Sequence, residues 1–310
     1  MKSTESILVV GTGAMACLFA SQLLRAGLKV NILGSWTEGI KAIRENGIRV
    51  FEGEKVQIFR PDLISPDPRD HKGTRSALLL VKSWGTANAA RGLAQCLAPD
   101  GLALTLQNGL GNYEVLMEGL GSERALAGTI TAGATLVEPG LVRPAGEGTI
   151  SIGDHPGSGL LIKLLRTAGF RVEIVSDIQS LLWGKLVVNS AINPLTAILG
   201  VPNGELVDNT HAFELLGRTA KETSIVAERL GIQVPFSDPA GAAVKVAQNT
   251  SGNISSMLQD LRRGAPTEID AINGQVVKAG ERTGIPAPIN QTLYSLVKSL
   301  VAVKTNRKGN

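Results

Sequence analysis

An α/β fold in two parts is what the sequence predicts: a domain built on a parallel sheet, then an all-helical domain. Three observations lead there. Residues 5–33 run strand, glycine turn, helix, strand, the order and roughly the ~30-residue length of a right-handed β-α-β crossover. Apolar strand-like runs separated by helical periodicity continue to residue 175. From Asp177 onward helical periodicity stands almost alone, so the boundary falls near 177, giving domains over residues 1–176 and 177–310. A chain of 310 residues suits two domains at roughly 100–200 residues each.

The elements follow in order. Residues 5–10 form a buried strand that enters Gly11-Thr12-Gly13-Ala14-Met15-Ala16. A helix over Cys17–Ala26 stops at Gly27, and Leu28–Leu33 is the second strand. Further strands are expected at Lys55–Phe59, Ala77–Lys82, Leu102–Gln107 and Ala125–Ile130, with helices near 36–46, 85–98 and 111–119. Residues 131–153 are glycine-rich and β-prone; a helix near 157–168 and a strand at Arg171–Val175 close the region. Beyond it, residues 178–199, 205–231, 238–249 and 266–284 read as helices, and residues 304–308 as a solvated end.

Composition removes several function classes. Charged residues are 19% and hydrophobic residues 43%, enough for a buried core. The net charge of +4 is mild and no long basic run is present, so no nucleic-acid partner is expected; an enzyme handling small anions fits. Cys17 and Cys96 sit in apolar helical contexts and read as small buried hydrophobes, and His71, His155 and His211 lack metal spacing, so no metal is expected. No apolar run approaches the ~20 residues of a membrane span, and residues 1–6 do not form a secretory signal. A soluble, cytoplasmic protein is the expectation.

Gly11-x-Gly13-x-x-Ala16 joins a strand to a helix. Gly11 permits the tight turn, Gly13 lets backbone approach a pyrophosphate, and Ala16 allows close helix–strand packing, with the helix N-terminus favouring anions. This predicts a Rossmann-type dinucleotide-binding domain; the plainer alternative is a glycine turn that binds nothing. The tip of the second strand, Leu33-Gly34-Ser35-Trp36-Thr37, carries no acid to hold ribose hydroxyls, and Glu38 falls in the next helix. Ser35, Thr37 and Lys41 can hydrogen-bond a 2′-phosphate, which leans towards NADPH and leaves NADH open.

In the helical domain, Lys185, Asn189 and Asn193 are spaced i, i+4, i+8, one ammonium and two amides on one helical face. Solvated helix faces carry Glu, Lys and Arg rather than asparagine, a poor helix former, so the stripe reads as facing a ligand; an exposed or capping role is the alternative. Downstream, Thr267 with Asp270 suggests a capping box that places Glu268 in a first helical turn, where dipole compensation alone would explain it. Ser256, similarly, reads by itself as an N-terminal helix residue.

Several stretches together carry a resemblance over the whole length: Gly11–Ala16, Val81-Lys82-Ser83-Trp84, Gln107-Asn108-Gly109-Leu110-Gly111, Trp183–Thr196, Pro202-Asn203-Gly204-Glu205, Asn253–Asp260 and Thr267–Gly274. The chain resembles the ketopantoate reductases (2-dehydropantoate 2-reductases). The resemblance implies a Rossmann domain followed by a helical substrate and dimerisation domain, the 6-phosphogluconate-dehydrogenase-like architecture, with the active site in the cleft between them. It implies NADPH-dependent reduction of ketopantoate to (R)-pantoate in pantothenate and coenzyme A biosynthesis, and a possible homodimer. By that resemblance Lys185 is the general acid, and Asn189, Asn193, Asn203 and Ser256 hold the keto acid. Asn108 faces both substrate and cofactor. Gly11, Thr12, Gly13, Ala14, Met15 and Ala16 form the cofactor loop, while Lys82, Ala134 and Glu268 serve the nicotinamide half. Without the other motifs, Lys82 would read as a surface lysine and Asn108 as a turn residue before glycine.

Two departures from the family pattern stand out. Gly34 replaces the arginine usual at the tip of the second strand, and Ala265-Pro266 replaces an arginine common before Thr-Glu-Ile-Asp. Rival readings are another 2-oxo-acid or opine-type reductase of the same architecture, and a non-catalytic dinucleotide sensor. The sensor would need no general acid, so the Lys/Asn/Asn stripe speaks against it.

Overall fold

A computed structural model of the chain describes residues 5–308, which divide into two units. The first comprises residues 5–107 and 112–178; the second comprises 108–111 and 179–308.

The first unit opens with β1 (Ser6–Val10), α1 (Ala14–Arg25), β2 (Lys29–Leu33) and α2 (Thr37–Asn46). The chain continues through β3 (Ile48–Glu52), β4 (Lys55–Phe59), β5 (Leu63–Ser65), β6 (Thr74–Leu79), α3 (Thr86–Cys96), β7 (Leu97–Thr105) and α4 (Asn112–Leu120). It closes with β8 (Ala125–Ile130), β9 (Gly133–Glu138), β10 (Leu141–Ala145), β11 (Thr149–Gly153), α5 (Gly159–Thr167) and β12 (Arg171–Val175). Eight strands form one sheet in the order β12-β11-β8-β7-β6-β1-β2-β5. Its pairings are parallel except for β8 with β11.

Alternate residues explain this sheet. Ile7 and Val9 point into one core with Phe19, Leu23, Leu78 and Leu104. Leu8 and Val10 point into another with Leu79, Leu93 and Leu116. Strands buried on both faces need continuous apolar runs and helices on each side, which is how parallel sheets are built. From β1 the chain moves outward to β2 and β5, then returns to place β6 on the other side of β1. The carboxyl ends of β1 and β6 are therefore a switch point, where open α/β sheets bind ligands. A second sheet, β4-β3-β10-β9, is assembled largely from hairpins.

The second unit holds α6 (Ile178–Leu199), α7 (Glu205–Asp208), α8 (Thr210–Arg229), α9 (Pro239–Asn249), α10 (Ser256–Arg263), α11 (Asn273–Thr283) and α12 (Pro288–Lys308). The single helix expected over 205–231 is broken at Asn209, whose side chain accepts from the His211 and Ala212 amides at 3.1 and 3.0 Å and restarts the chain as α8. The backbone of the expected solvated end finishes α12; its side chains from residue 304 lie outside the described residues. No helix among the described residues is long and apolar enough to cross a membrane.

Pro194 lies inside α6 and has no N–H for the carbonyl of Ser190, four residues earlier. Asn273, fully buried, supplies the missing donor: its Nδ2 reaches Ser190 O at 2.9 Å and also Asn290 Oδ1 at 2.9 Å. Asn290 in turn donates to Glu222 Oε1 at 2.9 Å and Thr223 Oγ1 at 3.2 Å. Glu222 also caps α12 by accepting from the Ile289 and Asn290 amides at 3.0 and 2.8 Å. Asn273→Ala is expected to lower the unfolding free energy by about 1–3 kcal/mol, the cost of a buried unsatisfied carbonyl. In a Pro194→Ala background, where a backbone N–H faces Ser190 again, the same change should cost less. Urea unfolding of the four proteins of this cycle checks it; an equal cost in both backgrounds rejects the repair.

Candidate functional site

In the first unit the glycine turn is shaped by crowding on one side and space on the other. Gly11 has φ +126°, and its N–H donates to Leu33 O at 2.8 Å. A Cβ there would stand 3.1 Å from Leu80 O and 3.2 Å from Val81 N, so only glycine lets β1's tip lie against β6's. Gly13 caps α1 without a side-chain hydrogen bond, and a Cβ on it would meet nothing within 4 Å. The first turn of α1, beginning at half-buried Ala14 and Met15, holds no acid, while Ala16 is fully buried in the core. An open backbone surface at an uncapped, acid-free helix start fits a pyrophosphate.

The tip of β2 is also crowded. A Cβ on Gly34 would lie 2.8 Å from Thr12 Cγ2 and 3.0 Å from Ile40 Cγ1, so the space for a longer side chain is filled by Thr12 and Ile40. Ser35, Trp36, Thr37 and Lys41 around it are exposed.

Lys82 follows β6 and opens a short 3-10 turn over Ser83–Gly85, its ammonium 5.9 Å from the Trp84 ring centroid. The loops after β6 and β7 are tied by a buried network that the sequence did not suggest. Gln107 Nε2 donates to Val81 O and to Thr86 Oγ1, both at 2.8 Å, and Gln107 Oε1 accepts from Thr105 Oγ1 at 2.9 Å. Thr86 Oγ1 also donates to Asn112 Oδ1 at 2.8 Å. An amide directly before Asn-Gly at a strand end was the available signal. Ala134 lies in β9 of the other sheet, opposite Pro144.

In the second unit, Lys185, Asn189 and Asn193 occupy successive turns of α6; Lys185 and Asn189 are half-buried and Asn193 is 7% exposed. Burial pushes the Lys185 ammonium down to about 8, and the Glu268 carboxylate opposes that fall. Glu268 is itself only 4% exposed and accepts from Asn108 Nδ2 at 3.5 Å. Residues 108–111 are held to the segment after Glu268: Leu110 N donates to Ala271 O at 2.8 Å. Gly109, at φ +79°, has no room for a Cβ, which would fall 2.3 Å from Ala271 O. Glu268 thus links two residues distant in sequence: its charge acts on Lys185, and its carboxylate accepts from Asn108.

The expected capping box does not form. Residues Glu268–Asp270 make a 3-10 turn, Thr267 provides no side-chain cap, and Thr267 Oγ1 is buried without a hydrogen-bond partner. Asp270 instead accepts from Tyr294 Oη at 2.8 Å and Lys298 Nζ at 3.0 Å, both on α12. Tertiary partners have drawn the carboxylate away from the local backbone, and α11 starts only at Asn273.

Asn203 is bound at its N–H by Asn253 O at 3.0 Å and donates from Nδ2 to Thr250 Oγ1 at 2.8 Å; its Oδ1 is buried and unpartnered. Ser256 is half-buried at the start of α10, but the cap is Ser255, which sequence reasoning passed over. Its Oγ accepts from Leu258 N at 3.2 Å and from Thr196 Oγ1 at 2.7 Å, tying α10 to α6. Two adjacent serines before a helix leave the choice of cap to geometry. Ser255→Ala should cost about 0.5–2 kcal/mol of stability, and Ser256→Ala within about 0.5 kcal/mol of none. Thermal unfolding decides; equal losses would put both serines in the cap.

Residues 7–157 match the family model described as ketopantoate reductase PanE/ApbA, and residues 177–301 match that described as its C terminal. The 2-dehydropantoate 2-reductase of Archaeoglobus fulgidus is 38% identical over 304 residues, covering 96% of this chain and 98% of the relative. That of Halobacterium salinarum is 36% identical over 300 residues, covering 94% and 97%. Among solved structures, a PanE/ApbA family ketopantoate reductase from Ralstonia eutropha JMP134 superposes with TM-score 0.88 at 31% identity, covering 97% of this chain and 99% of its own. A D-mandelate dehydrogenase solved with NADH and anilino(oxo)acetate reaches TM-score 0.90 at 23% identity over 96% of this chain and 98% of its own, a likeness of fold alone.

Proposed function

The chain belongs to the ketopantoate reductase family, and from that premise we propose that it reduces 2-dehydropantoate to (R)-pantoate, taking NADPH in preference to NADH. The observation that carries this reading is the Lys185 ammonium, lowered by burial against the pull of the Glu268 charge and followed on its helix by two neutral amides. A bound reduced nicotinamide dinucleotide supplies the hydride; Gly11 to Ala16 would hold its pyrophosphate, with Lys82, Ala134, Asn108 and Glu268 serving the nicotinamide half. Lys185 meets the negative charge that grows on the ketone oxygen and gives that oxygen its proton. Asn189, Asn193, Asn203, Ser256 and Asn108 hold the keto acid so that one face of its carbonyl is presented. Solvent returns a proton to Lys185 after product leaves. Rates with ketopantoate and a panel of other 2-oxo acids, each with NADPH and NADH, test the reading; turnover of a different keto acid and not of ketopantoate would overturn it.

The lowered lysine pKa fixes the sign of the pH response. Lys185 is an acid below about 8 and loses its proton above it. The rate of ketone reduction should be level below that pH and fall as pH rises through it. Lys185→Ala should lower kcat by ~100-fold or more, the low end for general acid–base catalysis, with an unchanged circular dichroism spectrum. Lys185→Arg should be slow and insensitive to pH in the same window. A wild-type descending limb preserved in Lys185→Arg would give the proton to another group.

Cofactor preference turns on the β2 tip. An arginine at 34 would give a phosphate charge-assisted, bidentate bonds, but Thr12 and Ile40 occupy its path. Gly34→Arg alone should therefore bring little gain, whereas Gly34→Arg with Thr12→Ala should lower KM for NADPH relative to Thr12→Ala and leave KM for NADH unchanged. Equal gains with and without Thr12→Ala would show that Thr12 is no obstacle.

A further inference from the structure

We infer that Trp36 is the platform on which the adenine of the dinucleotide stacks, and that this aromatic contact holds the base whatever the ribose carries. The inference rests on the reading of the first unit as a dinucleotide site and is independent of which keto acid is reduced.

Four observations converge on this residue. Trp36 stands in the connection between β2 and α2, at the carboxyl end of a parallel strand, and Gly11 N–H bonded to Leu33 O at 2.8 Å fastens the glycine turn to that strand end. In folds of this kind the end of the second strand addresses the adenosine ribose, from which the base projects. Trp36 keeps 37% of its surface exposed, a large aromatic area left to solvent in a chain with only three tryptophans.

The indole is also seated from beneath. A Cβ on Gly39 would lie 2.5 Å from Trp36 Cε3 and 2.7 Å from Thr12 Oγ1, so ring and phosphate-loop threonine close over the same side-chain-free point of α2. A ring lying against a helix glycine and the loop's own threonine is placed rather than left to wander. Finally, no arginine stands at the tip: Gly34 is hemmed by Thr12 and Ile40, its neighbours Ser35 and Thr37 are short hydroxyls, and the exposed Lys41 lies further along α2. Stacking serves here because every base offers a π-face, whatever the 2′ substituent carries.

The test uses the whole apo protein and calorimetric titration with ADP, 2′,5′-ADP and nicotinamide mononucleotide. Trp36→Ala should weaken ADP and 2′,5′-ADP by the same factor, about fivefold or more, and leave nicotinamide mononucleotide unchanged. Trp36→Phe should recover most of that affinity. Trp36→Leu, which keeps an apolar contact with Gly39 but has no π-face, should not. ADP should quench tryptophan fluorescence in the wild type and far less in Trp36→Phe. The inference is overturned if ADP affinity stays within twofold in Trp36→Ala, if only 2′,5′-ADP is weakened, or if leucine serves as well as tryptophan. Should Trp36→Ala fail to fold, the comparison of phenylalanine with leucine decides. Failure of ketopantoate turnover would leave the ADP comparison standing, and failure of the ADP comparison would leave ketopantoate turnover standing.

Discussion

One missing hydrogen bond in the middle of a helix organises the second unit. Pro194 deprives Ser190 O of its helical donor, and a buried carbonyl without a partner is costly. Asn273 supplies that donor from the first turn of α11, which requires α11 to run beside the centre of α6. Asn273 also reaches Asn290, and Glu222 gathers Asn290 together with the start of α12. Four helices, α6, α8, α11 and α12, are thereby brought to one buried polar knot. The proline lies directly after Asn193, so the repair sits on the same stretch of α6 that presents the polar stripe. The buried knot thus braces the stretch of α6 from which Lys185, Asn189 and Asn193 project.

The first unit meets a different constraint, that of clearing space. The dinucleotide proposed for this unit would need backbone it can approach, and Gly11 and Gly13 leave their backbone bare for opposite reasons. Gly11 is excluded from carrying a side chain by β6, whereas Gly13 faces nothing within 4 Å. The Gln107 network then joins the loops after β6 and β7, so that the positions of Lys82 and of the chain leading to Asn108 depend on one buried amide. Gln107 uses donors and acceptor together, with Val81 O, Thr86 and Thr105 as partners. An apolar replacement would leave each of those partners short.

Most of this was legible where period and punctuation agree. Strands β4, β8 and β12 lie at the residues expected for them, and α1, α2, α5 and α9 within a few residues, because Gly27, Gly47, Gly169 and Pro239 mark their ends. Strands β6 and β7 end earlier than the apolar runs suggested, since Leu80 and Leu106 stay buried beyond the ladder. Strand β5, three residues long, is too short to show a period, and β3 lies directly behind the glycine that ends α2. Residues 131–153 were readable as β-prone, but β10 joins β9 to β3 while β11 crosses to β8, a choice made by distant partners. The polar stripe of α6 was visible from its spacing of four. The influence of Glu268 on Lys185 was not, because nothing local records which carboxylate's charge a lysine will feel.

As a general acid, the role proposed for it, Lys185 would stand between two failures. A lysine left in water holds its proton too firmly to be a strong acid near neutrality; one buried alone gives the proton up and brings no charge to the ketone. Burial moves Lys185 down to about 8 while Glu268 resists. An ammonium of that strength is still about nine-tenths protonated at neutral pH, yet it is a far better acid than an exposed lysine. The identity of its helical neighbours follows from the same balance. Aspartate at 189 or 193 would offer hydrogen bonds of similar reach, but each added anion would raise the lysine again and repel an anionic keto acid. On the proposed reading, asparagine would orient the substrate at no electrostatic cost, a reason for a poor helix former to occupy two successive turns of the helix that carries Lys185.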